Sequence, residues 1–147
     1  MKNLIMAIGM LLISCASTSQ TSSLKLTPDE SEYLGRVDNM PTEFRLAKVE
    51  AEDAWGRALS WIGKYSSMKI QNATDYTIAT YNPDGNVFNV QYGYSITKAP
   101  MGDSVEISVV CTFDPPALVI KSDAKRNAQI LGLYMKSGEV MWKFIKR

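Results

Sequence analysis

The chain contains no histidine, which removes the side chain that most often performs acid–base chemistry at neutral pH. Catalytic triads with a histidine base and zinc sites built on imidazole are therefore excluded. The acidic cluster Glu50, Glu52 and Asp53 resembles a catalytic carboxylate pair only in composition, because the first turn of a helix explains it. The sequence favours a protein that binds over an enzyme, and we expect no metal and no cofactor.

Cysteine is nearly absent as well, since the chain has only Cys15 and Cys111. If Cys15 is modified, Cys111 has no disulfide partner within the chain. A free thiol in an oxidising compartment is unusual unless it is buried. An apolar alternation continues through Val105, Ile107, Val109, Cys111 and Phe113. We therefore expect Cys111 to lie on the buried face of a strand.

Neither sign of charge dominates, with 16 basic and 15 acidic residues. Nucleic-acid-binding proteins usually carry a basic face, so nucleic acid is not an expected partner. The cationic residues Lys143, Lys146 and Arg147 close the chain. They are interpreted as a solvated terminus, with a patch for anionic lipid as the alternative.

A long hydrophobic run is also missing, because the longest one covers only residues 4–13. Ten residues form a helix of about 15 Å, roughly half of a bilayer's hydrocarbon core. A run of this length after Lys2 is typical of the hydrophobic part of an export signal.

The end of this run, Leu12-Ile13-Ser14-Cys15, resembles the lipobox of bacterial lipoproteins. The resemblance implies that residues 1–14 are a cleaved signal and that Cys15 carries a diacylglycerol and a further acyl chain such as palmitate. Several acyl chains anchor a protein firmly, since each buried methylene contributes about 0.8 kcal/mol. Ala16 stands where many inner-membrane lipoproteins have aspartate, which implies the outer membrane and a domain facing the periplasm.

The alternative is an ordinary secretory signal, but no A-x-A-like cleavage site precedes the domain. Residues 15–23 are the acylated cysteine and a flexible tether of small polar residues. Residues 24–42 are an irregular lead-in, where Thr27-Pro28-Asp29-Glu30 could open a short helix. Residues 43–137 form the domain, and residues 138–147 are a C-terminal extension, either a strand or a helical continuation.

Two helices are predicted within residues 43–137. The first covers residues 50–65, with an apolar stripe of Ala51, Ala54, Trp55, Ala58, Leu59, Ile62 and Tyr65. The second is capped by Ser122, has a stripe of Ala124, Ala128, Leu131 and Met135, and ends at Gly138.

Period-two alternation predicts strands. They lie around Phe44 and Leu46, over residues 68–80, over residues 88–97 and over residues 105–113. Turn residues at 82–86 and the segment Asp114-Pro115-Pro116 separate or end them. The predicted fold is α+β, an antiparallel sheet of about four strands with two helices on one face, in the order strand-helix-strand-strand-strand-helix.

With its Ala51, Ala54 and Trp55 helix and the strand series, this order is similar to the helix-grip domains of envelope lipoproteins. Such domains share their helix–sheet arrangement with TATA-binding-protein-like folds. With a lipid anchor and a tether that gives the domain reach, we expect an accessory or scaffold protein that contacts another envelope protein. The expected function is therefore a membrane-anchored, non-catalytic binding module.

Four aromatic residues are the candidate contacts. Trp61 falls off the helical stripe and is interpreted as an exposed residue at a partner surface, with packing under the lead-in segment as the alternative. Trp142 allows the same two interpretations. Tyr92 and Tyr94 are interpreted as core residues with hydroxyls at a rim. Alternatively they line a cavity between sheet and helices, which would make the protein a carrier or sensor of a small apolar ligand.

Overall fold

The computed structural model describes residues 25–84, 90–114 and 123–146. Its elements are α1 (Pro28–Asp38), β1 (Glu43–Ala47), α2 (Lys48–Tyr65), β2 (Ile70–Ala73), β3 (Thr77–Thr80), β4 (Gln91–Met101), β5 (Ser104–Asp114), α3 (Ala124–Ser137) and a 3₁₀ turn (Trp142–Phe144). The strands form one antiparallel sheet in the order β1-β5-β4-β3-β2. The predicted α+β class is confirmed, with five strands and three α-helices in these ranges instead of about four and two.

One face of the sheet carries the core. In β4 the side chains of Tyr92, Tyr94 and Ile96 are buried, and Ile96 is in register with Val109 of β5 and Ile78 of β3. Helices α2 and α3 contact each other and the sheet. On the opposite face most described residues of β4 and β5 are exposed or partly exposed, and Gly93 is covered by Pro83. Because successive strand residues point to opposite faces, the period-two pattern was sufficient to predict which face is buried.

The lead-in predicted as irregular contains a helix, α1. Its N-terminus is the capping box anticipated at Thr27, whose hydroxyl accepts a hydrogen bond from the Glu30 N–H at 3.3 Å. The Glu30 carboxylate accepts one in return from the Thr27 N–H at 2.9 Å. Tyr33 and Val37 are fully buried. The lead-in therefore belongs to the domain, because α1 packs its apolar residues against α3.

The predicted strand over residues 68–80 is instead a hairpin of β2 and β3. The Thr74 hydroxyl accepts hydrogen bonds from the N–H groups of Tyr76 and Thr77, at 3.2 and 3.0 Å. The Thr74 N–H donates to the Thr77 carbonyl at 2.8 Å, which closes the turn. A threonine hydroxyl that accepts hydrogen bonds from the N–H groups two and three residues later stabilises a reversal of the chain. β2 becomes the edge strand, and all of its residues are exposed.

Helix α3 is buried on more sides than a single stripe predicts. Residues 127–133 are all buried, because α1, α2 and the sheet surround them. The helix ends at Gly138, as predicted, with φ of 76° and an N–H bonded to the Tyr134 carbonyl at 2.8 Å. Glycine adopts this left-handed conformation without steric cost. The predicted cap Ser122 lies outside the described residues, as do Phe88 and Pro115–Pro116.

The segment predicted as a C-terminal extension packs onto the domain. Phe144 stacks on Tyr33 of α1 with 5.9 Å between ring centres, and Ile145 is buried. The buried Asn127 amide binds the backbone of Lys146 twice, donating at 2.9 Å and accepting at 3.2 Å. A short 3₁₀ turn replaces both predicted alternatives, strand and helical continuation. The domain therefore extends on both sides of the predicted range 43–137.

Candidate functional site

Trp61, predicted to be exposed at a contact surface, is fully buried. The helix α2 that carries it starts at Lys48, two residues before the prediction, and ends at Tyr65. The buried arc of α2 is wider on the Trp61 side because α3 lies along it, with the Tyr134 ring centre 5.6 Å from that of Trp61. Leu59, predicted in the core, lies on the other flank and is 37% exposed. The prediction that Trp61 is exposed is therefore wrong, and its side chain packs between helices instead.

Trp142 is the exposed tryptophan of the described residues, with 72% of its surface open to solvent. It lies in the 3₁₀ turn beside Thr27, the residue at which the chain enters α1. Of the two tryptophans interpreted as exposed, Trp142 is exposed and Trp61 is not.

Tyr92 and Tyr94 are buried side chains of β4, as the core interpretation predicts. The Tyr92 hydroxyl accepts a hydrogen bond from the Asp123 N–H at 3.4 Å, next to the start of α3. The Tyr94 hydroxyl lies deeper and has no hydrogen-bond partner of good geometry among the described residues. Burial raises the pKa of Tyr94, and the neighbouring Cys111 raises it further, while the Trp61 indole opposes both. These rings belong to the core.

Cys111 lies opposite Tyr94 in the β4–β5 ladder and packs against the core, although it is only partly buried. Burial raises the pKa of its thiol to about 12, and the side chains of Tyr94 and Asn127 oppose this shift. The thiol therefore stays protonated at neutral pH, which agrees with a packing role. Cys15 and the remainder of the lipobox lie outside the described residues.

A cleft of about 550 Å³ opens at one end of the layer between α2 and the sheet. Its walls come from the first turns of α2, the β2–β3 turn and the ends of β4 and β5. The lining residues are Lys48, Glu52, Trp55, Asp75, Tyr76, Lys98, Pro100 and Val105. Pockets of roughly 300–1,000 Å³ hold small ligands. We call this the Lys98 cleft.

The Lys98 cleft has a fixed aromatic wall. The Trp55 ring is 7% exposed, and its Nε1–H donates to the Thr74 carbonyl at 3.2 Å, which ties α2 to the β2–β3 turn. Tyr76 follows in the same turn and is 58% exposed. Its backbone carbonyl accepts a hydrogen bond from the Lys98 N–H at 2.9 Å. A buried tryptophan and an exposed tyrosine thus flank one opening.

Lys98 supplies the charge at the base of the cleft. Its side chain is 9% exposed, and the ammonium lies 4.8 Å from the centre of the Trp55 ring and 3.2 Å from Oε1 of Glu52. A buried cation is costly unless it is paired, and the ring face and the carboxylate both lower this cost. The Glu52 side chain is 78% exposed. The cation is therefore held by the fold, whereas its counter-charge extends into solvent.

The sequence pattern already contained a signal for Lys98, which was missed. Every second residue of β4 faces the helices, and Lys98 follows Ile96 by two positions. Its side chain therefore points toward the helices as well. A lysine at such a position either pairs inside the protein or reaches the end of the layer. Only the tertiary structure shows that Trp55 and Glu52, more than 40 positions earlier in the chain, surround it.

A second groove, of about 850 Å³, runs along the surface where α1 and α3 meet and is lined in part by Met40 and Leu133. Two cations line it: the exposed Lys136, and Arg36, which donates to both carboxylate oxygens of Glu139 at 2.7 and 2.6 Å. The Arg36–Glu139 pair joins α1 to the chain after α3. Both cations are exposed to solvent, and no aromatic side chain of the described residues lines this groove. The Lys98 cleft, which joins two aromatic side chains to a largely buried cation, is therefore the better candidate site.

Within the described ranges no three potential ligands among His, Cys, Asp and Glu are placed to hold a metal ion. No helix in those ranges is long and apolar enough to cross a membrane.

No protein-family model matches the sequence, and comparison with curated proteins finds no match.

Proposed function

We propose that this chain is a lipid-anchored cell-envelope protein whose domain binds another envelope component and does not catalyse a reaction. Support for the anchor comes from Leu12-Ile13-Ser14-Cys15 after an apolar run of export-signal length. Lipid on Cys15 would hold the protein at the membrane, in the outer membrane on the periplasmic side if Ala16 acts as in the lipoproteins it resembles. The tether of residues 16–23 would then give the domain a reach of about 15–17 Å.

The observation that carries the binding role is the Lys98 cleft. It joins a rigid tryptophan, an exposed tyrosine and a buried cation in one concave surface, as binding sites do. The groups with the most strongly raised pKa values, Tyr94 and Cys111, pack in the core and do not line this cleft. The arrangement suits recognition of a partner better than proton transfer.

The anchor is tested by replacing Cys15 in the full-length chain. In bacterial cells fed an alkyne analogue of palmitate, the wild-type protein should carry the label and sediment with membranes. The Cys15→Ala variant should lose the label completely and either remain uncut or move to the soluble fraction.

Cys111→Ala is the matched control, because it removes the other thiol and should keep the label. Wild-type protein that is unlabelled, soluble and still carries residues 1–14 contradicts the anchor.

The binding role is tested by crosslinking in intact membranes. Wild-type protein should recover one defined envelope protein, and Tyr76→Ala should reduce that recovery several-fold because it removes the exposed aromatic rim of the cleft. Tyr81→Ala is the control, since Tyr81 is similarly exposed, at 52%, and does not line the cleft. Equal recovery by both variants would assign the contact to another surface.

The alternative function, a carrier of a small apolar ligand, is favoured by one observation only. The cleft opens from the layer between sheet and helix, where such a ligand was expected. Its location differs from the predicted one beneath Tyr92 and Tyr94, because neither ring lines it.

A further inference from the structure

We infer that the Lys98 cleft binds an organic carboxylate that carries an apolar or aromatic group, with the carboxylate on the Lys98 ammonium and the apolar group against Trp55. This inference rests on the proposed binding role and names the chemistry that the site recognises. The ligand is either a free small acid or the C-terminal residue of a polypeptide, since both present the same two groups.

A carboxylate of the protein, that of Glu52, already occupies the proposed position of the ligand carboxylate. Glu52 places Oε1 3.2 Å from the Lys98 ammonium, although the Glu52 side chain is 78% exposed. Because the Glu52 carboxylate lies mostly in solvent, its attraction for Lys98 is partly screened, and a competing carboxylate can take its place and pair the cation again. Lys98 is held more firmly than Glu52, because its side chain is 9% exposed and lies over the Trp55 ring. When Glu52 moves away, the largely buried Lys98 ammonium still requires an anionic partner.

The apolar part of the ligand is set by the walls beside Lys98. Trp55 and Tyr76 are aromatic, and Pro100 and Val105 continue the apolar surface at the ends of β4 and β5. The remaining lining side chains, Lys48 and Asp75, are exposed and of opposite charge. Their charges balance, as do those of Lys98 and Glu52, so an anion is favoured where it displaces the Glu52 carboxylate from the Lys98 ammonium. A ring or branched chain next to a carboxylate would cover this surface and satisfy the cation together.

The test uses the full-length chain in detergent micelles, in a buffer without carboxylic acids, and sodium phenylacetate as the probe. Binding is followed by amide and indole resonances in ¹H–¹⁵N spectra. We expect a Kd of roughly 1 mM, with the largest shifts at the Trp55 indole and at Lys98. Phenylacetamide, which keeps the ring and lacks the charge, should bind at least about tenfold more weakly.

Two variants at the site should change affinity in opposite directions. Glu52→Gln removes the internal competitor and should tighten phenylacetate binding about three- to tenfold, whereas Lys98→Met should weaken it at least about tenfold. Lys125→Met, at an exposed lysine of α3, should leave it unchanged. If the Lys98–Glu52 pair only stabilises the fold, both variants should change the affinity for phenylacetate in the same direction. If Lys98→Met does not fold, Glu52→Gln and the phenylacetamide comparison decide, because Glu52 is exposed.

The source of the carboxylate is distinguished by acetyl-Gly-Phe with a free C-terminus and by its amide. Binding of the free peptide tighter than phenylacetate identifies a polypeptide C-terminus, and equal or weaker binding identifies a small acid. Shifts remote from the cleft, or equal affinity for phenylacetate and phenylacetamide, overturn the inference. Failure here leaves acylation of Cys15 and recovery of a membrane partner unaffected, so the proposed function is judged separately.

Discussion

Replacing Trp61 by alanine should lower the free energy of unfolding by about 3–5 kcal/mol, as large-to-small substitutions of buried tryptophan do. The ring is fully buried and lies against Tyr65 and Tyr134, with 4.9 and 5.6 Å between ring centres. Its removal would leave a cavity where α2 meets α3. A domain of this size has a stability of about 5–15 kcal/mol, so the loss takes a large share of it. Urea unfolding followed by circular dichroism gives the value.

Trp142→Ala is the matched control, because Trp142 is 72% exposed and its removal should change stability by less than about 0.5 kcal/mol. Trp61→Phe should fall between the two, since it keeps most of the apolar contact. Equal midpoints for the Trp61→Ala and Trp142→Ala variants would show that the α2–α3 contact is not as described. A loss of partner recovery in the Trp61→Ala variant is expected only as a consequence of unfolding.

The second large effect concerns the reactivity of Cys111. With its pKa raised from 9.0 to about 12, the thiol holds about a thousandfold less thiolate at pH 8 than the same residue in the unfolded chain. Alkylation requires the thiolate, so iodoacetamide should label Cys111 slower by roughly this factor in the folded protein. Mass spectrometry of the Cys111 peptide, with and without 8 M urea, measures both rates and keeps Cys15 separate.

The same shift makes stability depend on pH at the alkaline end. The unfolded thiol loses its proton near its ordinary pKa, whereas the folded one keeps it up to pH about 12. The unfolded state therefore binds fewer protons in this interval, and stability should fall as pH rises through it. The free energy of unfolding of Cys111→Val should decline less steeply above pH 9, although the buried Tyr94 still contributes.

For the iodoacetamide experiment, rapid labelling of the folded wild type at pH 8 would contradict the burial of the thiol.

Local signals predicted much of the fold. The faces of β4 and β5, the extent of α2 and the stop at Gly138 follow from side-chain periodicity and from the conformational freedom of glycine, which act within a few residues. The capping box at Thr27 was visible for the same reason. The lead-in was nevertheless predicted as irregular, since nothing in its own sequence shows the surface of α3 on which Tyr33 and Val37 pack.

Errors arose where a distant element decided the outcome. Trp61 and Leu59 lie on opposite flanks of the α2 stripe, and sequence alone could not determine which flank α3 would cover. The strand predicted over residues 68–80 became a hairpin through hydrogen bonds of the Thr74 side chain, which propensity does not count. The candidate site was missed because Lys98 of β4 forms a site only together with Trp55 and Glu52. Those two residues belong to α2, and the fold places them next to Lys98.

By itself, the sequence determined the class of the domain, the buried face of its sheet and the absence of histidine chemistry, because periodicity and composition are properties of the chain alone. Tertiary structure alone decided which tryptophan is buried, that both ends of the domain pack onto its core, and that one lysine lies between an indole ring and a carboxylate. Those outcomes depend on the surfaces that α2, α3 and the sheet present to one another, and such surfaces exist only once the chain has folded.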